Sequence, residues 1–146
     1  MSNELIIDRQ KPGLTLDRLQ FGYEDQALID SLSWEVPFGA SALITGPTGV
    51  GKSTLLYLAA GLLAPDRGSV LQAGYPLAQL LPSQRVARGL RVGFVFQEGG
   101  LLSNQTAYSN ITLPLHYHRD FLSLSDEQIA FRAEEALDKM QNLTDE

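Results

Sequence analysis

From Leu14 to Val36 apolar and polar residues take turns along the chain. Leu14, Leu16 and Leu19 stand among polar neighbours, and Phe21-Gly22-Tyr23 follows. A polar turn at Glu24-Asp25-Gln26 then precedes Leu32, Trp34 and Val36, which alternate with Ser33 and Glu35. A period of two turns one side chain inward and the next outward, so this stretch predicts strands broken by turns, with Trp34 in the core. Pro37 and Gly39 end it. Ala42-Leu43-Ile44-Thr45 and Val92-Gly93-Phe94-Val95-Phe96 are short apolar runs, predicted as strands buried on both faces of a parallel sheet. Leu and Ala between Ser53 and Ala60 predict a helix stopped by Gly61. Pro65-Asp66-Arg67-Gly68 predicts a turn, and residues 69–73 a strand closed by Gly74. Beyond Gln97 the chain becomes loop-like at Glu98-Gly99-Gly100 and Ser103-Asn104-Gln105. Ser125-Asp126-Glu127-Gln128 is a capping-box pattern, opening a helix with Ile129, Ala133, Leu137 and Met140 along one face.

Composition narrows what such a chain can bind. With 146 residues, 44% of them hydrophobic, there is enough material for one globular domain with a core. The net charge of −6 repels phosphates over the surface as a whole. A nucleotide site must therefore be a local electropositive feature, and a broad face for nucleic acid is not expected. The absence of cysteine excludes disulfides and thiolate-bound metals, in keeping with a cytosolic setting. The start of the chain mixes Glu4, Asp8 and Arg9 with a short Leu5-Ile6-Ile7 patch, which is not the pattern of a secretory signal. Residues 55–64 form the longest apolar stretch, too short to span a bilayer. The expectation is a soluble chain that meets a membrane only through a partner.

One segment carries chemistry outright. Gly46-Pro47-Thr48-Gly49-Val50-Gly51-Lys52-Ser53 matches G-x-x-x-x-G-K-[ST] between a predicted strand and a predicted helix. Glycine at 46, 49 and 51 permits backbone angles closed to other residues and lets the chain approach phosphates closely. The loop N–H groups can then form an anion-binding nest, and the head of the following helix adds its own positive potential. Lys52 supplies a full charge near the β- and γ-phosphates, and the Ser53 hydroxyl can ligate Mg²⁺. The motif alone does not separate GTPases, kinases and transport ATPases.

Tyr23 before this loop, Gln97 after it at the end of an apolar run, and the Leu58-to-Gly68 helix end and turn narrow the choice. With them the chain resembles the nucleotide-binding domain of ATP-binding cassette (ABC) proteins over nearly its whole length. The resemblance implies an α/β P-loop NTPase fold with an N-terminal antiparallel β-subdomain, an incomplete parallel core sheet and the start of a helical subdomain. Residues 14–97 would be the ATP-binding core, and residues 98–146 the glutamine loop and the beginning of the helical subdomain. Residues 46–54, including Thr54, would be the Walker A segment. Tyr23 would stack on adenine, a role open to Phe21 on chemical grounds and replaceable by a plain core role. Gln97 would reach Mg²⁺ and the attacking water, so the resemblance casts Lys52 and Gln97 as catalytic and Ser53 and Gln97 as metal ligands. Thr106-Ala107-Tyr108-Ser109-Asn110-Ile111 resembles the stretch after that glutamine, with Ser109 where many members carry an acid.

The same resemblance implies ATP and Mg²⁺ as cofactors and a second ABC domain docked head to tail. It also implies a transmembrane permease subunit met through the region after Gln97, with the chain peripheral on the inner face of the cell membrane. Leu113-Pro114-Leu115 and Phe121-Leu122 are candidates for that docking, as they are for core packing. Gly100-Leu101-Leu102, Asn110-Ile111, Leu113-Pro114-Leu115 and His116 resemble bacterial ATPases that energise lipid or lipoprotein transport. No Leu-Ser-Gly-Gly-Gln run, no apolar strand ending in Asp-Glu after Gln97 and no switch histidine stand in these residues, and Asp145-Glu146 follows polar Gln141-Asn142. The expectation is a chain that ends inside the helical subdomain, binds ATP without turnover on its own, and leaves sheet surface bare. A non-hydrolysing nucleotide-binding module and a soluble ABC protein without a membrane subunit are the alternatives. His116-Tyr117-His118 has no third ligand nearby and reads as loop rather than metal site.

Overall fold

A computed structural model describes residues 9–24 and 26–142. The Leu5-Ile6-Ile7 patch, Asp25 and the terminal Asp145-Glu146 lie outside the described residues. The elements run β1 (Leu14–Tyr23), β2 (Gln26–Val36), α1 (Lys52–Ala59), β3 (Arg67–Gln72), β4 (Tyr75–Pro76), α2 (Pro82–Ala87), α3 (Ala107–Tyr117), α4 (Arg119–Leu122) and α5 (Asp126–Asn142), with a 3₁₀ turn at Leu77–Gln79. Contacts divide them into two compact units, one through Phe94 and one from Val95.

The first unit is built on an antiparallel sheet in the order β2-β1-β3-β4. Its core joins Leu16, Leu19, Phe21 and Val70 of the sheet to Leu58 of α1 and to Leu77, with Trp34 packed against them. The spacing of the β1 apolar residues explains the register. Leu16 and Leu19 are three apart, which would put them on opposite faces of a regular strand. Arg18 at φ 46° absorbs the extra residue, and Ser31 at φ 53° does the same in β2. The pairs Leu16 with Trp34, Leu19 with Leu32 and Phe21 with Ile29 thereby stay rung by rung. These bulges are how one apolar face is kept continuous. Gly68, at φ 82°, sits so close to the Asp17 and Arg18 carbonyls that no side chain fits.

Two predicted strands are not formed. Residues 42–45 and 92–96 carry no strand assignment, and Leu43 and Val95 are 86% and 91% exposed. The sheet among the described residues is wholly antiparallel, so the parallel core expected from those runs is absent there. An apolar run becomes a strand only when a neighbour pairs with its N–H donors and C=O acceptors in a ladder, and among the described residues neither run belongs to one. Phe94 instead stacks on Tyr57 of α1 at 5.3 Å between ring centroids. The 65–68 turn also ends earlier than expected, since Arg67 and Gly68 already belong to β3.

The second unit is helical. Thr106 caps α3, its Oγ1 accepting from the Ser109 N–H at 3.0 Å. Ser125 and Gln128 form the predicted capping box, with bonds of 3.2 and 3.0 Å. Ile129 and Ala133 of α5 are buried, but Met140 is 58% exposed and lies off the packed face. The seam is thus made by the N-terminal half of α5. Lys139 donates to Glu135 at 2.7 Å, and that hydrogen bond and charge hold the Glu135 carboxyl below its ordinary range. His116 lies in α3 and His118 caps its end, so these residues are helical rather than loop. Among the described residues no cluster of three His, Cys, Asp or Glu could hold a metal, and no helix is long and apolar enough to cross a membrane.

Candidate functional site

The segment from Gly46 to Ser53 is an exposed loop that turns into α1 at Lys52. Gly46, Gly49 and Gly51 have φ of 153°, 82° and 96°. Any other residue would be strained at these angles, which is the backbone reason for the three glycines. The Val50 N–H reaches the Pro47 carbonyl at 3.4 Å, and the Leu55 N–H reaches the Gly51 carbonyl at 2.9 Å. The N–H groups of Lys52, Ser53 and Thr54, at the head of the helix, are left ahead of the first intrahelical bond. Gly51 offers no side-chain cap and α1 has no acid in its first turn. By contrast, α5 carries Asp126 and Glu127 there. A helix head without its own carboxylate is suited to a foreign anion.

Lys52 completes the cradle. Its Nζ donates to the Gly46 carbonyl at 2.9 Å and to the Pro47 carbonyl at 2.7 Å, holding the ammonium across the loop. Ser53 is exposed next to it, while Thr54 is buried, 8% exposed. Val50 is half exposed at the rim. A polyphosphate fits this set of donors, which combines backbone amides, a lysine and a hydroxyl with no acid in the first turn of α1. Mg²⁺ fits as well, because it takes one hydroxyl and fills its remaining positions with phosphate oxygens and water.

Tyr23 ends β1 and is 56% exposed, its ring edge-on to buried Phe21 at 5.0 Å and 89°. Phe21 is 7% exposed and belongs to the core, so of the two rings only Tyr23 presents a face to solvent. Two residues that the sequence pattern does not single out, Asp66 and Leu28, hold this strand end and the loop. The Asp66 carboxylate accepts from the Gly22 N–H at 2.9 Å, and the Asp66 N–H donates to the Gln20 carbonyl at 2.9 Å. Leu28 of β2 lies so near Gly51 that a Cβ there would meet its side chain at 2.9 Å. Asp66 sat inside a turn signal that had no stated partner, and Leu28 looked like any strand leucine.

Gln97 belongs to the second unit and lies in a turn rather than at a strand end. The Gly99 N–H bonds to the Phe96 carbonyl at 3.3 Å, and the Gln97 side chain is exposed. Downstream, Asn110 ties the loop to α3: its Oδ1 accepts from the Leu102 N–H at 2.8 Å, and its Nδ2 donates to the Leu102 and Thr106 carbonyls at 3.1 and 3.0 Å. The structure thus gathers residues 46–54 into one cradle and brings the Tyr23 hairpin to it through Leu28, all within the first unit.

Comparison with known proteins agrees with this geometry. The ABC transporter family profile matches residues 29–146. The intermembrane phospholipid transport system ATP-binding protein MlaF of Haemophilus influenzae is 31% identical over 105 residues, which are 72% of this chain and 40% of that protein. The lipoprotein-releasing system ATP-binding protein LolD of Paramagnetospirillum magneticum is 37% identical over 107 residues, 70% of this chain and 47% of that protein. The chain therefore spans less than half the length of these relatives. Among solved structures, a dimeric post-hydrolysis ATP-binding cassette bound to ADP and Pi superimposes with a TM-score of 0.71 at 27% identity. It covers 86% of this chain and 56% of its own. An ABC transporter component from Clostridium perfringens shares the fold at a TM-score of 0.68, with 24% identity over 88% of this chain and 50% of its own. The cradle at residues 46–54, the antiparallel sheet beside it and these matches agree: the chain belongs to the ABC transporter family, in its ATP-binding domain.

Proposed function

We propose that the cradle at residues 46–54 binds Mg·ATP, and that these residues serve as the nucleotide-binding part of a transporter ATPase coupled to a membrane partner. The observation that carries the reading is the Lys52 ammonium held across the glycine loop, 2.9 and 2.7 Å from the Gly46 and Pro47 carbonyls. Phosphate oxygens offer that ammonium stronger, charge-assisted acceptors than neutral carbonyls do. The amides of Gly49, Gly51 and the first turn of α1 surround the phosphates. Ser53 holds Mg²⁺, and bound Mg²⁺ would neutralise charge on the β- and γ-phosphates. Tyr23 stacks on the base, a contact of the kind that contributes roughly 1–3 kcal/mol. Gln97, neutral and exposed, can orient water without moving a proton.

These residues hold no carboxylate placed to activate water, so turnover needs a group supplied from outside them, by further chain or by a second ABC domain packed head to tail. The exposed apolar residues after Gln97, Leu101 and Leu113 among them, are suited to a membrane subunit. Lipid or lipoprotein transport is the cargo class supported by the likeness to MlaF and LolD. The chain then acts on the cytoplasmic side, peripheral to the membrane. A second reading, nucleotide binding without hydrolysis, is favoured for these residues alone by the missing carboxylate.

Calorimetric titration tests the proposal. Mg·ATP should bind one per chain, and Mg·tripolyphosphate more weakly because it cannot use Tyr23. Folded protein that takes up neither ligand would end the reading.

A further inference from the structure

The β1–β2 hairpin meets the nucleotide cradle through Leu28. Tyr23 pairs with Gln26 at the tip, and Gly22 pairs with Ala27 just behind it. The next residue, Leu28, is the one that meets the phosphate loop. A Cβ at Gly51 would lie 2.9, 3.0 and 3.2 Å from its Cγ, Cδ2 and Cδ1. Gly51 is the residue whose φ of 96° turns the loop into α1, and Lys52 follows it directly. The leucine side chain thus fills the space on the Cβ side of Gly51, and the loop can move that way only if the leucine gives. A single hairpin therefore carries an exposed aromatic ring at its tip and, at Leu28, an apolar side chain in the space a Cβ of residue 51 would take, beside the peptide that presents Lys52. The hairpin is itself braced, because Phe21 is buried under Tyr23 and Asp66 bonds to Gly22.

We infer that Leu28 is a positioning residue that fixes the spacing between the base contact at Tyr23 and the phosphate contacts at Gly51–Lys52. The inference rests on the ATP-binding reading of the cradle. Its consequence is energetic coupling. A ligand long enough to engage both ends is favoured by the fixed distance, whereas a bare polyphosphate uses only one end. Removing the leucine's branches frees the loop to drift relative to the hairpin, so the two ends stop reinforcing each other. A merely structural leucine would lower stability without altering that coupling.

The experiment has two arms on the full chain, with Leu28→Ala, the volume-conserving Leu28→Met, Tyr23→Ala and the Leu28→Ala/Tyr23→Ala double variant. Without nucleotide, hydrogen exchange at the Leu55 amide, which bonds to the Gly51 carbonyl at 2.9 Å, should quicken in Leu28→Ala and stay near the parent rate in Leu28→Met. With nucleotide, Leu28→Ala should weaken Mg·ATP binding about tenfold while changing Mg·tripolyphosphate binding less than threefold. Tyr23→Ala should then cost much less in the Leu28→Ala background than in the parent. Unchanged exchange in a folded Leu28→Ala variant overturns the positioning role, as do additive effects of the two substitutions or equal losses for ATP and tripolyphosphate. If the parent binds no Mg·ATP, the ATP-binding reading and the spacing role fall together. The exchange arm then still shows whether the leucine restrains Gly51.

Discussion

Replacing Lys52 by alanine tests the contribution on which the proposed nucleotide binding depends. In the structure its ammonium spends two of three donors on neutral carbonyls, those of Gly46 and Pro47, at 2.9 and 2.7 Å. Both bonds are exposed, so removing them without nucleotide should cost no more than about 1 kcal/mol of stability. Binding a triphosphate exchanges those carbonyls for anionic oxygens. A hydrogen bond to a charged group contributes about 1.5–3 kcal/mol net, so its loss should weaken Mg·ATP binding roughly ten- to a hundredfold. The two effects separate cleanly. Calorimetry should show the affinity fall, and a urea melt of the same preparation should barely shift. An affinity within twofold of the parent would refute the role of Lys52. A collapse of the melt would show that the lysine is a structural strut.

Other consequences follow from the same geometry. Asp66→Ala removes the acceptor of the Gly22 N–H, and should destabilise the first unit by about 1–2 kcal/mol in urea. An unshifted midpoint would show that the clamp contributes nothing. Leu43 and Val95, 86% and 91% exposed, predict that the isolated chain binds an exposed-hydrophobe dye and melts weakly, and that Leu43→Ser with Val95→Thr lowers the dye signal. A sharp, hot melt of a dye-silent monomer would contradict this. Ser125→Ala takes away the acceptor for the Gln128 N–H and should cost about 1 kcal/mol, seen as faster exchange in the first turn of α5. Equal exchange rates in parent and variant would mean that the cap is idle.

Much of the binding site could be read from one dimension, because its chemistry is local. The positive φ of Gly46, Gly49 and Gly51, the ammonium of Lys52 and the hydroxyl of Ser53 all lie within eight consecutive residues, so the pattern of glycine, lysine and serine states the geometry directly. The cap at Ser125 and the strands from Leu14 to Val36 were legible for the same reason, since each depends on neighbours a few residues away. What could not be read is everything that depends on residues meeting from afar. The register of β1 against β2 turns on two bulges, at Arg18 and Ser31, whose cost is met by keeping six apolar residues on one face. Asp66 finds Gly22 across the sheet, and Leu28 finds Gly51 across the unit, through contacts that carry no periodic signal.

The apolar runs at 42–45 and 92–96 show the limit from the other side. Their composition announces burial, yet a strand is a property of a pair, and among the described residues neither run belongs to a ladder. Burial likewise separates Phe21 from Tyr23, one ring in the core and the other exposed, a difference that their shared chemistry does not show. Sequence alone therefore determined the glycine loop and its lysine, because short-range backbone geometry and side-chain charge define them. The tertiary structure alone decided what braces that cradle, because bracing requires packing between segments that the chain order keeps apart.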